Sequence, residues 1–573
     1  TIYPHTIFRN DQMLMMNAVK FTITSIVVAS TLVLSNADDF SSAFISPKVN
    51  QLRPVVPPLR ILKALASIRE ENADECSLDD PDASGCLQST GYYTKDPDLV
   101  VSEILVAEVE SLRAKFPSFD QEGTNVIKRR RNRGHRFHTT ESSRMEMEYH
   151  EYVEEGELVL MDLIRKPGMG GVSRAFHRAG PRKLLHFDPK TVNAAIVTCG
   201  GLCPGLNNVI RELVHSLYNV YGVGGNVWGI TGGFHGFHDF KNYEPVLLTN
   251  IAVEQIHHEG GTILRSSRGG FDMDKILQFL KEKDISQLYI IGGDGTHRGA
   301  YAISEACEAA GMNVAVAGIP KTIDNDVDYI DRSFGFSTAV EASQAAIRTA
   351  KTEAMCNVPN GIGIVKLMGR SAGFLAAFSA LGSGDVDLVL VPEVPIILDG
   401  PDGILPYLRQ RVKEHKFAVV VLAEGAGEEL LGISDEVDAG GNKAKPKIGD
   451  FIVTSVGDYF KSFGEEATIK YIDPSYTVRS VPANAADSLY CTQLAQNAVH
   501  GAMSGLTGFS VGLVNNRMVY LPIPQLVATS PRKMSPHGQT WERLIAMTGQ
   551  PNTALPKLKK DPDELVNPEP RFG

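Results

Sequence analysis

Cysteine is scarce in this chain. Seven thiols are scattered over 573 residues. An odd number without a repeating spacing excludes a disulfide-stapled scaffold and fits a reduced, intracellular protein. Cys199 and Cys203 form a C-x3-C pair with no second pair to complete a zinc site, so small buried thiols are the better reading. Positive charge is also in deficit: 56 basic residues face 67 acidic ones, a net charge of −11. That balance gives no global attraction for nucleic acid or anionic membranes, so a phosphorylated substrate must be captured by local basic residues. The apolar run Phe21 to Leu34 is too short for a membrane span. No solenoid-like repeat is visible.

What is present is length and apolar content. With 43% hydrophobic residues the chain has ample material for a large core, and its length suggests three or four domain-sized units. Near the N-terminus, Lys20 precedes the run FTITSIVVASTLVL, and the small residues Ser41, Ser42 and Ala43 come before Phe44. A basic flank, a short apolar run and a small-residue cleavage site make a secretory-type signal. SSAF followed by a Ser-, Lys- and Pro-containing stretch resembles the bipartite presequences of complex plastids. The alternative is an extension that targets nothing. Residues 1–50 are set aside as a possible presequence.

Residues 51–190 read as an N-terminal extension, partly disordered. It holds the acidic stretch Glu70 to Asp82, the basic run Lys128 to Arg136 and a strand-like segment from Glu146 to Leu163. Like-charge blocks are usually solvated or disordered. From Val192 the texture changes. AAIVTCGG (194–201), NVWGITGG (226–233), QLYIIGGDGT (287–296) and VAVAGIPKTIDND (314–326) predict strands. LNNVIRELVHSLYNVY (206–221), FDMDKILQFLKEKD (271–284) and RGAYAISEACEAAG (298–311) predict helices. A second series of strands follows at GIGIVKLMG (361–369), DLVLVPE (387–393) and FAVVVLAEGAG (417–427). Alternating short β-branched runs and helices predict parallel sheets covered on both faces, with ligands at the carboxyl ends of the strands. The fold class is therefore α/β, with two doubly wound, Rossmann-like lobes. The expected divisions are a nucleotide-binding lobe over 191–355 and a sugar-phosphate-binding lobe over 356–522, with the chain free to cross between them. A C-terminal tail or peripheral cap covers 523–573.

Six strand-end segments carry chemistry. Gly200 to Asn207 (GGLCPGLN) is a glycine turn at a helix N-terminus, where backbone N–H groups can approach a phosphate, although many such turns use glycine only for packing. Gly292-Gly293-Asp294-Gly295-Thr296 places a carboxylate where a phosphate-bridging Mg²⁺ would sit, and Thr296 can donate a hydroxyl or merely cap the helix. Such a segment marks a phosphoryl donor site and no particular acceptor. Pro320 to Asp326 (PKTIDND) gathers two carboxylates around a hydroxyl and a cation. A sugar hydroxyl needs a base within hydrogen-bond reach, and Asp324 suits that role. As an isolated triplet DND would be a surface turn, but this one ends an apolar strand. Met368-Gly369-Arg370 offers an arginine for charge on a transferring phosphoryl group, or a surface ion pair. Glu424 can accept from sugar hydroxyls. Lys470, Tyr476 and Arg479 lie within ten residues and can grip a 6-phosphate.

In this order, TCGGLCPGLN, GGDGTHRGA, IPKTIDNDV, SFGFSTAVE, KLMGR, AEGAG, KYIDPSY and QNAVHGAMSG resemble the phosphofructokinases, and most closely the plant-type ATP-dependent group. The resemblance runs from about His177 to Pro522. It implies a 6-phosphofructokinase of glycolysis with fructose 6-phosphate and ATP as substrates, Mg²⁺ held by Asp294, and a homotetramer. It implies that Gly201, Arg268, Gly269, Gly293, Asp294, Gly295 and Thr296 bind the nucleotide. Thr322, Ile323 and Asp324 would hold the reacting end of the sugar, with Asp324 as proton acceptor and Thr322 and Arg370 assisting. Met368, Gly369, Arg370, Glu424, Lys470, Tyr476 and Arg479 would bind fructose 6-phosphate. Gly361 departs from the bacterial pattern, in which an arginine reaches into a neighbouring subunit's site; Lys366 is a substitute for that charge.

The donor is the open question. Pyrophosphate-using relatives typically carry Asp where Gly295 stands, whereas Lys321 follows the pyrophosphate pattern. Plant-type ATP enzymes combine this glycine with this lysine, and a carboxylate at 295 would crowd and repel a nucleotide, so ATP is expected. The alternatives are a pyrophosphate-dependent phosphofructokinase, a lipid or NAD kinase suggested by GGDGT alone, and a non-catalytic regulatory subunit. Location is cytoplasmic by the family's habit, or plastidic if Lys20 to Phe44 acts as a presequence.

Overall fold

The computed structural model describes residues 101–119, 152–164, 171–432 and 447–554. The chain divides after Lys95, and every described residue belongs to the second unit, Asp96–Gly573. The presequence candidate Lys20 to Phe44, the acidic stretch Glu70 to Asp82 and the basic run Lys128 to Arg136 lie outside the described residues.

The strands are β1 (Val101–Ala107), β2 (Glu110–Ser111), β3 (Leu158–Leu160), β4 (Gly171–Arg178), β5 (Ala194–Thr198), β6 (Val227–Ile230), β7 (Val246–Leu247), β8 (Gln287–Gly292) and β9 (Ala315–Pro320). They continue with β10 (Gly361–Leu367), β11 (Leu388–Leu390), β12 (Phe417–Ala423), β13 (Thr468–Ile472), β14 (Leu506–Thr507), β15 (Phe509–Val514) and β16 (Arg517–Pro522). The principal helices are α1 (Leu206–His215), α2 (Met273–Glu282), α3 (Asp294–Ala309), α4 (Phe336–Cys356) and α5 (Phe374–Ser383). They are followed by α6 (Ile404–His415), α7 (Ile448–Ser462), α8 (Ala485–Met503), α9 (Ile523–Thr529) and α10 (Gln539–Thr548).

Two sheets organise the fold. The first runs β1-β4-β16-β15-β9-β8-β5-β6-β7, with β3 on β4; the second runs β11-β12-β10-β13. The central strands β9, β8, β5 and β6 are mutually parallel, as are all four of the second sheet. β5, β8 and β9 are buried along their whole length, which is why they read as continuous apolar runs with no alternation. Both faces of each sheet are covered. In β5, Ala194 and Ile196 face a core shared with α1, α4, α5 and α8, whereas Ala195 and Val197 face α2, α3 and α9. In β12, Val419 and Val421 point into that same shared core, and Val420 and Leu422 point toward α6 and α7. One hydrophobic core thus lies between the sheets and fixes the two lobes against each other.

Three segments bear on the expected divisions. β1 pairs parallel with β4, so described parts of the 51–190 extension enlarge the first sheet. Residues 509–522, in the range where the chain is free to cross between lobes, return to the first sheet through β15 and β16. The segment after 522, expected as a tail, supplies α9 and α10. Ile523 is fully buried, Trp541 and Leu544 sit in the shared core, and Gln550 exchanges hydrogen bonds of 2.7 and 3.0 Å with the backbone of Val389 on β11. The physical reason is that its proline-rich look hides an apolar set, Ile523, Leu526, Trp541 and Leu544. Trp541→Ala is expected to cost about 3–5 kcal/mol, as for a large aromatic removed from a packed core. Denaturant unfolding of the full chain measures it; a change under about 0.5 kcal/mol would show the segment to be peripheral.

Candidate active site

Because β5, β8 and β9 are parallel and adjacent, their carboxyl ends open on one edge. β5 delivers Cys199 to Gly201, β8 delivers Gly293 and Asp294, and β9 delivers Lys321 to Asp326. β8 and β9 end in register, Gly292 opposite Pro320, which sets the 293–294 and 321–324 segments side by side. In the second sheet β10 delivers Met368 to Arg370, and β12 delivers Glu424, whose N–H bonds Leu367 O at 2.9 Å.

The turn after β5 needs glycine. Gly200 has φ +85°, and its N–H donates to Ser267 O at 3.0 Å while its carbonyl accepts from Ser266 Oγ at 2.6 Å. Lys321 Nζ donates to Gly201 O at 2.7 Å, tying the β9 loop to this turn. At the start of α3, His297 N–H and Nδ1 both lie on Gly293 O, at 3.0 and 3.1 Å, and Nε2 lies 3.1 Å from Ser510 Oγ. Burial lowers this histidine to about 4, so it is a neutral brace for the glycine turn.

A cavity of about 710 Å³ lies above these turns. Its lining includes all seven residues expected to bind the nucleotide: Gly201, Arg268, Gly269, Gly293, Asp294, Gly295 and Thr296. Phe234 and Phe271 also line it, edge to face at 5.2 Å, as does Arg298. The sequence reading missed this aromatic pair; the one signal was an aromatic directly after the arginine-glycine turn. An adjoining cavity of about 480 Å³ shares Gly200, Gly201, Ser267 and Arg268, and Arg479 also lines it.

The β9 loop concentrates negative charge. Thr322 Oγ1 donates to Asp326 Oδ1 at 2.7 Å and accepts from Asp324 N–H at 3.1 Å. Asn325 takes φ +56°, and its Oδ1 accepts from Ser333 N–H at 2.8 Å, which holds the loop's shape. Burial, then the charges of Asp326 and Glu424, push the Asp324 carboxyl up to about 7; the Arg370 N–H and Lys321 oppose the rise. Asp324 Oδ1 is shielded from solvent and has no hydrogen-bond partner. Burial and the neighbouring Asp326 push Asp294 up to about 6. Asp294 and Asp324 thus share Asp326 as a charged neighbour; Asp294 lines the larger cavity, and Asp324 sits in the loop that Lys321 connects to it.

The fit to Mg²⁺ follows from these groups. A half-buried carboxylate whose proton is held on by a neighbouring carboxylate, as Asp294 is by Asp326, is an environment a divalent cation relieves. Among the described residues no group of three or more His, Cys, Asp or Glu side chains could hold a metal.

The sugar-side residues divide. Glu424 lines a cavity of about 290 Å³ with Lys366, Lys447, Tyr471 and Asp473. Lys366 pairs with Asp473 at 2.6 Å. Arg479 instead sits beside Gly201, its guanidinium 4.9 Å from the centre of the Tyr476 ring, and its Nε is shielded without a partner. Tyr476 is 73% exposed. Lys470, in β13, lies opposite Gly363 and lines none of these cavities. At Gly361 a Cβ would fall 1.9 Å from Ala354 O, so this backbone accepts no side chain where bacterial relatives carry arginine.

An α/β fold with a glycine-lined cavity at the carboxyl ends of parallel strands is an arrangement that binds nucleotides and phosphates. Residues 193–502 match the family model for phosphofructokinase. ATP-dependent 6-phosphofructokinase 7 of Arabidopsis thaliana is 49% identical over 398 residues, covering 69% of this chain and 80% of its own. ATP-dependent 6-phosphofructokinase of Amycolatopsis methanolica is 43% identical over 412 residues, covering 70% and 89%. Among solved structures, the pyrophosphate-dependent phosphofructokinase of Marinobacter aquaeolei superimposes with a TM-score of 0.52 at 20% identity, over 66% of this chain and 98% of that one; this likeness bears on fold alone. The chain belongs to the phosphofructokinase family.

The raised Asp324 carboxyl has a sign that can be tested. The native state holds its proton more tightly than the unfolded chain, so its contribution to stability is full below about 4 and is lost as pH rises to about 7. Asp324→Asn is therefore expected to be more stable than the parent at pH 8, with the gap closing toward pH 4. Thermal melts across that range check it; equal melting temperatures at pH 8 would contradict the buried-charge account.

Proposed function

We propose that the chain is an ATP-dependent 6-phosphofructokinase, which moves the γ-phosphoryl group of ATP to the 1-hydroxyl of fructose 6-phosphate. The observation that carries this reading is the shielded, unpartnered Oδ1 of Asp324. That atom belongs to a loop shared by the donor cavity, through Lys321, and the sugar side, through Glu424 and the Arg370 N–H. A carboxylate with a raised pKa and a vacant oxygen accepts a proton from an alcohol at neutral pH more readily than an ordinary aspartate does.

The transfer is direct and in line, with no phosphoenzyme. Asp324 takes the 1-hydroxyl proton as that oxygen bonds to the γ-phosphorus and the bond to the β-phosphate oxygen breaks. Thr322 holds the loop through Asp326, so the base faces the hydroxyl. Arg370 stabilises charge on the transferring group. The Gly200, Gly201 and Gly293 turns and Arg268 hold the nucleotide phosphates; Glu424 accepts from the sugar's hydroxyls, and the cations Lys366 and Lys447 beside it attract the 6-phosphate. Mg²⁺, when bound by Asp294 and the donor phosphates, supplies neutralising charge for the departing ADP.

The donor is ATP. At Gly295 a Cβ would meet nothing within 4 Å, so the position opens onto the cavity and leaves room for the nucleotide. Relatives from Arabidopsis thaliana and Amycolatopsis methanolica are named for ATP dependence. The assembly is a homotetramer on the family resemblance. Two Arabidopsis thaliana relatives are named chloroplastic, which favours the plastid if Lys20 to Phe44 is a working presequence. No helix among the described residues is long and apolar enough to cross a membrane.

Asp324→Ser is expected to retain fructose 6-phosphate binding and lose about 10²–10⁴-fold in kcat. Near-parental turnover by coupled assay would refute the base. Gly295→Asp is expected to fold normally, because the site is open, and to raise KM for ATP by repelling its phosphates. Unchanged ATP kinetics in that variant, or parental initial rates higher with pyrophosphate than with ATP, would overturn the donor assignment.

A further inference from the structure

The expected tail reaches the reaction loop. Arg532 lies between α9 and α10, and its backbone N–H donates to Asp326 O at 2.6 Å. Its guanidinium donates to Ile330 O at 3.1 Å through Nη1 and to Asn325 O at 3.2 Å through Nη2. The same group lies 5.0 Å from the ring centre of Phe374, the first residue of α5. Two residues on, Met534 N–H donates to Glu393 Oε1 at 2.8 Å. Glu393 also accepts from Gly373 N–H, at 2.9 and 3.1 Å, and so holds the turn that follows Arg370. Upstream, Ser530 Oγ accepts from Asp328 N–H at 3.2 Å.

A half-buried guanidinium is costly to desolvate, so a fork that bonds two carbonyls and packs on an aromatic ring has a defined geometry. Those two carbonyls belong to the loop carrying Asp324 and Asp326. The ring and the Glu393 contacts belong to the element that follows Arg370. These two segments come from different sheets, and the 530–534 stretch is bonded to both. We propose that Arg532 is a positioning residue for phosphoryl transfer: with Met534 and Glu393 it keeps the Asp324 loop in register with the Arg370 turn. Small displacements of such groups matter, since a misplacement near 1 Å can cost on the order of 10²-fold in rate. This inference rests on the functional reading above.

The experiment uses the full chain with Arg532→Gly and Arg532→Lys. Lysine keeps the charge and loses the planar fork. In both variants kcat is expected to fall, by about 10²-fold in Arg532→Gly, with KM for ATP unchanged because the donor cavity is intact. Millimolar methylguanidinium, which fits the vacated space, is expected to restore part of the turnover of Arg532→Gly. Parental kcat in either variant overturns the proposal. So does a fall in kcat that accompanies a fall in melting temperature and is not rescued by methylguanidinium. Should Arg532→Gly fail to fold, Arg532→Lys decides by the same split between kcat and KM. Hydrogen exchange reads the brace without turnover: amide protection over 324–330 and 370–374 is expected to drop together in the variants, and unchanged protection overturns it. A parent chain that releases no ADP in response to fructose 6-phosphate removes the functional reading itself, and hydrogen exchange then judges the brace separately.

Discussion

The site depends on one electrostatic constraint: a carboxylate at 324 is kept out of water, next to two others at 326 and 424, with Lys321 and the Arg370 N–H offsetting only part of their charge. Left alone, such a cluster would spread into solvent or hold its protons. The fold prevents the first by anchoring the loop at several points, through Thr322, Asn325, Ser333 and Lys321. In the proposed transfer the second tendency becomes proton acceptance. An aspartate whose affinity for a proton approaches neutrality is matched to removing one from an alcohol during transfer, whereas an exposed aspartate is too weak a base.

The scaffold needed to hold that cluster explains the architecture. Acidic loops cannot position one another, so each is mounted on the end of a buried strand, and the strands are held by the core between the sheets. β5, β8 and β9 supply the glycine turns and the acidic loop, and β10 and β12 supply Arg370 and Glu424. Because the two sheets share a core, donor and acceptor groups on different sheets keep a fixed relation. The return of residues 509–522 to the first sheet adds a second covalent crossing between lobes.

Much of this was legible in the residues. Buried parallel strands announce themselves as unbroken apolar runs, and AAIVT, QLYIIG and AVAGIP were readable for that reason. Glycines and aspartates directly after such runs fall where ligands collect in a parallel sheet, so Gly200, Gly293, Asp294 and Asp324 stood out. What stayed hidden needed three-dimensional partners. Lys321 reads as the cation of the PKTIDND loop, but its tie to the Gly201 carbonyl shows only in three dimensions. Phe271 reads as the first residue of a helix until it is found ahead of α2, edge to face with Phe234. The segment after 522 looked like a tail because prolines obscure the spacing of Ile523, Leu526, Trp541 and Leu544. Lys470 shows the opposite failure: a cation close in sequence to Tyr476 and Arg479 does not share their place, because it lies mid-strand in β13.

The account turns on where the reacting hydroxyl meets Asp324. A crystal structure of the chain with fructose 6-phosphate and a non-hydrolysable ATP analogue measures that distance directly. The prediction is Asp324 Oδ1 roughly 2.6–3.2 Å from the sugar's 1-hydroxyl, with the analogue's terminal phosphate beside Asp294. A sugar bound with its 1-hydroxyl beyond reach of Asp324, or a nucleotide seated away from the Gly201 and Gly293 turns, would contradict it.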